Sequence, residues 1–226
     1  MAAKILVPAV LLVLIASAPG QDLPKFMGRE VTITMPELDA DGFFPKGPAL
    51  ICIEGPPQRQ CHAAPEGIGK SPKVALVQIE KDLPALLFSA ESGGVSGFSI
   101  HFALLQPGPG RDLENLFLSD LSISNQSEHG FWTEPTISDA PIFLTADFVW
   151  GPNESHYVAH RYIISAYVWR SNSMVDSPSY YLEDRYMTVR EYESWNSNIP
   201  TSEKQEILAR LARVKAETQR QKRTPH

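Results

Sequence analysis

The strongest constraint on this chain is that its apolar residues recur with period two, and that no helical pattern stands between one such run and the next. In Ile142-Phe-Leu-Thr-Ala-Asp-Phe-Val-Trp150 the residues Ile142, Leu144, Ala146, Phe148 and Trp150 fall on one side of an extended chain. After a Gly151-Pro-Asn connection the run Tyr162-Ile-Ile-Ser-Ala-Tyr-Val-Trp169 returns, which reads as a hairpin. Tyr180 to Tyr192 is a last β-segment, with Leu182, Tyr186 and Tyr192 spaced for one face. Upstream, Arg29–Met35, Ala49–Ile53, Val74–Ile79, Ala85–Ala90, Phe98–Leu105 and Leu118–Ser124 carry the same signal. The pair Ala85–Ala90 and Phe98–Leu105, joined by a glycine-rich turn, forms a second hairpin. Residues 62–73, rich in Pro, Gly, Ala and Lys, read as a loop, and Asp112–Phe117 as a single helical turn. Parallel strands need long crossovers, normally helices, and none is encoded here. The expected fold is therefore mainly β: an antiparallel β-sandwich, with a partly open β-barrel as the alternative.

The two ends of the chain differ from this middle. Residues 1–20 place Lys4 before the apolar run Ile5–Ile15, followed by small residues to Gly20. That is the layout of a secretory signal peptide cleaved near Gly20, and its apolar stretch is shorter than the ~20 residues of a spanning helix. At the other end, Ser202 with Gln205 three residues on reads as a capping box. Ile207, Leu208, Leu211 and Val214 then form a narrow apolar stripe on an amphipathic helix. The chain divides into a leader (1–20), an antiparallel β-domain (21–200) and a C-terminal helix with a basic tail (201–226).

Charge follows the same division. The formal net charge of −6 becomes −7 without Lys4, and the segment from Glu203 carries +4, so residues 21–202 hold −11. An acidic body argues against nucleic acid, whose phosphates need a positive face. The basic helix complements that body, so docking onto it is the simplest role for the helix. Without the leader, no apolar run is long enough to span a membrane.

Cys52 and Cys61 are the only cysteines, and Gly55-Pro-Pro57 lies midway between them. A strand, a tight reversal and a returning strand would bring them into bonding range, so a disulfide is expected in an exported chain. A metal site would need more Cys or His at ligand spacing.

Several residue groups carry possible chemistry. Glu154, His156 and His160 could supply three metal ligands, although Tyr157 stands where the HExxH motif has its glutamate. Ser96, His101 and Asp147 are the components of a nucleophile constellation, but the GxSxG elbow is missing and Ser96 sits in a glycine-rich turn. Glu183 and Asp184 are adjacent, so on a strand they point to opposite faces and cannot easily pair as glycosidase carboxylates. Asp39-Ala-Asp41-Gly42 has the start of a calcium loop but lacks the remaining ligands, so it reads as a turn. All four tryptophans lie beyond residue 130, and aromatic residues occupy both faces of the late strands. One face is core; the other could present Trp150, Tyr157, Tyr167 and Trp169, with His156 and His160, to a carbohydrate or a protein or peptide. Asn125 and Asn153 begin glycosylation sequons, relevant only in a eukaryotic host.

These features make the chain an exported, disulfide-bonded binding or structural module, secreted or periplasmic, with no cofactor and no catalysis. Two alternatives remain: a metal-dependent hydrolase built on Glu154, His156 and His160, and an envelope assembly protein docking through its C-terminal helix.

Overall fold

A computed structural model describes residues 15–16, 23, 25–94, 97–117, 121–124, 127–152, 154–155, 158–170, 180–193 and 198–221. In chain order the strands are β1 (Ile15–Ala16), β2 (Val31–Thr34), β3 (Leu50–Ile53), β4 (Gln60–Ala63), β5 (Ile68–Glu80), β6 (Leu83–Ser92), β7 (Ser99–Pro107) and β8 (Leu113–Asn115). They continue as β9 (Leu121–Ser124), β10 (Glu128–Trp132), β11 (Ile142–Phe148), β12 (Ala159–His160), β13 (Tyr162–Arg170), β14 (Tyr180–Met187) and β15 (Tyr192–Glu193). Two helices, α1 (Ile199–Ser202) and α2 (Lys204–Gln221), close the chain.

Every ladder between the named strands is antiparallel. Among the described residues the sheets stack and no closed barrel forms, which fits the sandwich. A middle sheet runs β1-β5-β6-β7-β8, with β9 also paired to β7. Alternation then decides what each face meets. On one face Val74, Leu86, Phe88, Ala90, Ala103 and Leu105 pack against Ile51 and Ile53 of the three-stranded sheet β2-β3-β4. On the other, Val77, Ile79, Phe102, Leu104 and Ile123 pack against Phe143, Tyr167 and Trp169 of the four-stranded sheet β10-β11-β13-β14. That sheet in turn lays Ile142, Leu144, Ala146, Tyr162 and Ile164 outward, under Ile199, Ile207 and Leu211 of the helices. Both faces of the middle sheet carry core residues, which explains the continuous apolar stretches Ala85–Phe88 of β6 and Phe102–Leu105 of β7.

The terminal helix lies on the body as its charge complementarity suggested. Lys204 meets Glu134 at 2.5 Å, Arg210 meets Asp184 at 3.9 Å, and Lys215 donates to the Thr136 carbonyl at 2.9 Å. Glu203, at the junction of α1 and α2, accepts hydrogen bonds from the hydroxyls of Tyr186 and Tyr192. Arg210 also stacks 4.4 Å from the Tyr186 ring centroid.

The disulfide joins Cys52 and Cys61, which face each other across β3 and β4 with Cα atoms 4.1 Å apart. Gly55 turns the connecting loop with φ of 88°, where other residues are strained. Arg29 holds that loop from below. Its guanidinium donates to the carbonyls of Ile53, Glu54, Gly55 and Gln58, while the buried Gln60 amide donates to the Gly108 and Gly110 carbonyls.

Four details differ from the sequence reading. First, the segment read as a loop at 62–73 contains the end of β4 and the start of β5. A strand passes through Pro72 because its register shifts between Lys70 and Lys73, which removes the need for a proline N–H in the ladder. Gly69 there lies so near Pro36, Pro45 and Gly47 that a Cβ would fall 2.5–2.9 Å from their atoms. Second, the turn read at Asp112–Phe117 is the strand β8. Asn115 Oδ1 accepts from the backbone of Leu104 and Phe117, each at 3.1 Å, and so supplies the bonds a helical turn would have made. Third, β10 went unread, because Glu128-His-Gly-Phe-Trp lacks a clear alternation. Fourth, the helical region starts at Asn198, whose side chain accepts from Thr201 N at 3.3 Å; Ser202 ends α1 rather than capping α2. Glu128 also accepts from Ile199 N at 2.8 Å, and burial holds its carboxyl above the usual range.

Candidate functional site

The most promising site is a cleft of about 500 Å³ where the middle sheet meets the end of β11. Its walls come from the β6–β7 turn (Ser92, Phe98, Ser99), from β9 (Ser122, Ser124) and from the exit of β11 (Asp147, Trp150).

Asp147 breaks an otherwise apolar strand, and the structure gives the reason. Its Oδ1 accepts hydrogen bonds from Ser124 N and Ser124 Oγ, each at 3.0 Å, and from the Ser127 hydroxyl. One carboxylate thus ties β9 of the middle sheet to β11 of its neighbour.

Trp150 follows at the rim and is 47% exposed. Its ring is backed by two others: Phe148 at 4.9 Å and His160 at 5.6 Å between centroids, with Phe148 and His160 5.1 Å apart. An exposed indole held by packing on its rear is a preorganised contact surface. His160 itself is 1% exposed. Its Nδ1 lies 3.2 Å from Glu154 Oε2 and its Nε2 lies 3.2 Å from the Ser155 carbonyl. Glu154 Oε2 also accepts from Gly151 N at 2.5 Å. A Cβ on Gly151 would sit 2.2 Å from Glu154 Oε1, so a larger residue there would push this carboxylate aside. The contact between buried His160 and the solvent-facing Glu154 carboxylate therefore ties down the loop that carries Trp150.

The structure separates the other residues singled out from the sequence. Tyr167 and Trp169, each 8% exposed, lie in the core between the two large sheets, where Tyr167 meets Phe117 and Trp169 Nε1 donates to Glu80 at 2.5 Å. His156, Tyr157, Ser96, Asn125 and Asn153 lie outside the described residues, as does the side chain of Glu183. His101 alternates with Phe102 and so faces the β2-β3-β4 side, whereas Asp147 faces the cleft; the two are on opposite sides of the middle sheet. Among the described residues no group of three His, Cys, Asp or Glu is placed to hold a metal ion. Asp39 closes a turn: its Oδ1 accepts from Phe43 N at 2.7 Å and Phe44 N at 3.1 Å, and the Phe44 bond above all holds its carboxyl below the usual range.

The chain matches no protein-family model, no curated protein sequence and no solved structure. The site is therefore read from its own chemistry. Of the residues around this cleft, the sequence singles out Trp150, His160 and Asp147 as candidates but not Phe98, Ser92, Ser99 or Ser122. Phe98, Ser92 and Ser99 sit around a turn already explained by its glycines, Ser122 lies on β9, and serines in strands and hairpins carry no distinguishing signal. Only the meeting of two sheets makes them one surface.

Proposed function

We propose that this chain is an exported binding module that holds a small polar ligand in the cleft beside Trp150 without transforming it. The carrying observation is the exposed Trp150 ring, braced by Phe148 and His160, above a wall of serine hydroxyls and the Asp147 carboxylate. An aromatic face with hydroxyls and one carboxylate beside it suits a sugar ring or a peptide side chain. The disulfide, the leader layout of residues 1–20 and the absence, among the described residues, of a helix long and apolar enough to cross a membrane support secretion or a periplasmic address. Intrinsic fluorescence titrated against carbohydrate and peptide panels tests the reading. The expected result is a saturable change in the wild type that Trp150→Ala removes at unchanged melting temperature. Binding that survives Trp150→Ala would overturn it.

The contact between Glu154 and His160 gives some support to a second reading, a metal-dependent hydrolase completed by His156. Both ring nitrogens of His160 already face oxygen acceptors, so a metal would have to displace one of them. Zinc bound stoichiometrically in the purified protein, and lost in His160→Ala, is the result that would favour the hydrolase.

A further inference from the structure

We propose that the ligand of the Trp150 cleft carries an ammonium group, which the Asp147 carboxylate and the aromatic rings of the cleft recognise together; this rests on the cleft being a binding site. Asp147 is the single charged side chain among the described residues that line it. Its Oδ1 takes all three hydrogen bonds that the carboxylate accepts from described residues, which leaves Oδ2 without a donor among those residues. A half-buried carboxylate fixed through one oxygen presents the other as a preorganised negative acceptor. The remaining lining is neutral: serine hydroxyls, Phe98, Phe148 and Trp150. Aromatic faces attract cations through their quadrupole, and indole is the best of them. The three features agree on one chemistry. An anion would be repelled by Asp147, and a neutral ligand would leave its charge unanswered. The net charge of −11 on residues 21–202 favours the approach of a cation as well.

An amino sugar and a lysine side chain both offer this group, and matched pairs of probes separate them. Each pair has a cation and a neutral counterpart: choline with 3,3-dimethylbutan-1-ol, glucosamine with N-acetylglucosamine, and Nα-acetyl-lysine amide with Nα-acetyl-norleucine amide. Calorimetry and Trp150 fluorescence on the full-length protein should show the cation binding at least tenfold tighter than its counterpart in the choline pair. Whichever of the other two cations binds more tightly names the source. Asp147→Asn keeps an Oδ1 acceptor for Ser124 and Ser127, so its melting temperature should stay near wild type while the cation preference collapses. In the wild type, raising salt should weaken the cations and leave the neutral probes unchanged, a readout that needs no variant. If the members of each pair bind alike and Trp150→Ala abolishes both, the cleft is a binding site and the cation inference is wrong. If none of the six probes, and no carbohydrate or peptide in the panels, binds in a Trp150-dependent way, both the inference and the function proposed above fall.

Discussion

Leu211→Ala tests whether the terminal helix is a structural layer of the fold. Leu211 is 3% exposed and belongs to the cluster of Ile142, Leu144, Ala146, Ile164 and Ile207 between the helix and the outer sheet face. Truncating a buried leucine to alanine costs about 2–5 kcal/mol, depending on how far the site collapses. Here a groove of about 170 Å³ already runs beside Leu211, lined also by Val168 and Val214, so water can reach part of the vacated space. That places the cost in the lower half of the range, about 3 kcal/mol. At about 2–4 °C per kcal/mol for a chain of this size, the melting temperature should fall by about 9 °C. Arg213→Ala is the control. Its side chain is 64% exposed and meets only the half-exposed Glu206 at 3.7 Å, so the loss should stay under about 0.5 kcal/mol. Urea unfolding followed by circular dichroism measures both. Equal, small effects would show that the helix does not cover the sheet, and the four-layer description would fail with it.

Three further outcomes follow from the same geometry. Replacing Cys52 and Cys61 together by alanine opens a ten-residue loop and should cost roughly 2.7 kcal/mol on the chain-entropy account; an unchanged urea midpoint would contradict it. Arg29→Lys keeps the charge but loses the planar fork that binds four carbonyls, so about 2 kcal/mol should be lost, with faster hydrogen exchange in residues 54–59. Burial first, then the hydrogen bond to Glu203, pushes the Tyr192 hydroxyl up to about 12, above the ~10 of an unfolded tyrosine. Its contribution is therefore complete below pH ~10 and disappears as pH rises through about 12. Unfolding midpoints between pH 8 and 12 should decline less steeply in Tyr192→Phe than in the wild type.

The fold was legible where an apolar run is long or the turn chemistry explicit. Ile142–Phe148 is buried on both faces, one under the helices and the other against a sheet, so its β-character is plain, and the Cys52–Cys61 loop announced itself through Gly55-Pro-Pro57 and an even cysteine count. Legibility failed where a tertiary contact overrides a local signal. Pro72 and Gly69 read as loop residues, yet a strand passes through them with its register shifted, and Gly69 lies close against Pro36 and Pro45. Asp112–Phe117 reads as a helical turn, and the Asn115 side chain instead satisfies a strand end. The helical stripe was plain, but its start was not, since Asn198 and Glu128 cap an extra turn that Ser202 appeared to begin. The site was legible only in its aromatic component. Tyr167 and Trp169 have the same residue character as Trp150, and only sheet stacking distinguishes a core indole from an exposed one. Asp147 looked like an interruption, and its role depends on Ser124 and Ser127, distant in sequence.

The most direct test of ligand binding at the cleft is a nitrogen-15 correlation spectrum of the four tryptophan indole N–H groups, assigned by single Trp→Phe variants and titrated with the tightest probe. Binding beside Trp150 predicts that the Trp150 indole peak shifts to saturation with the calorimetric affinity, while that of Trp169, buried and bonded to Glu80, stays in place. A saturating ligand that moves the Trp169 or Trp132 peak and leaves Trp150 still would place the site elsewhere.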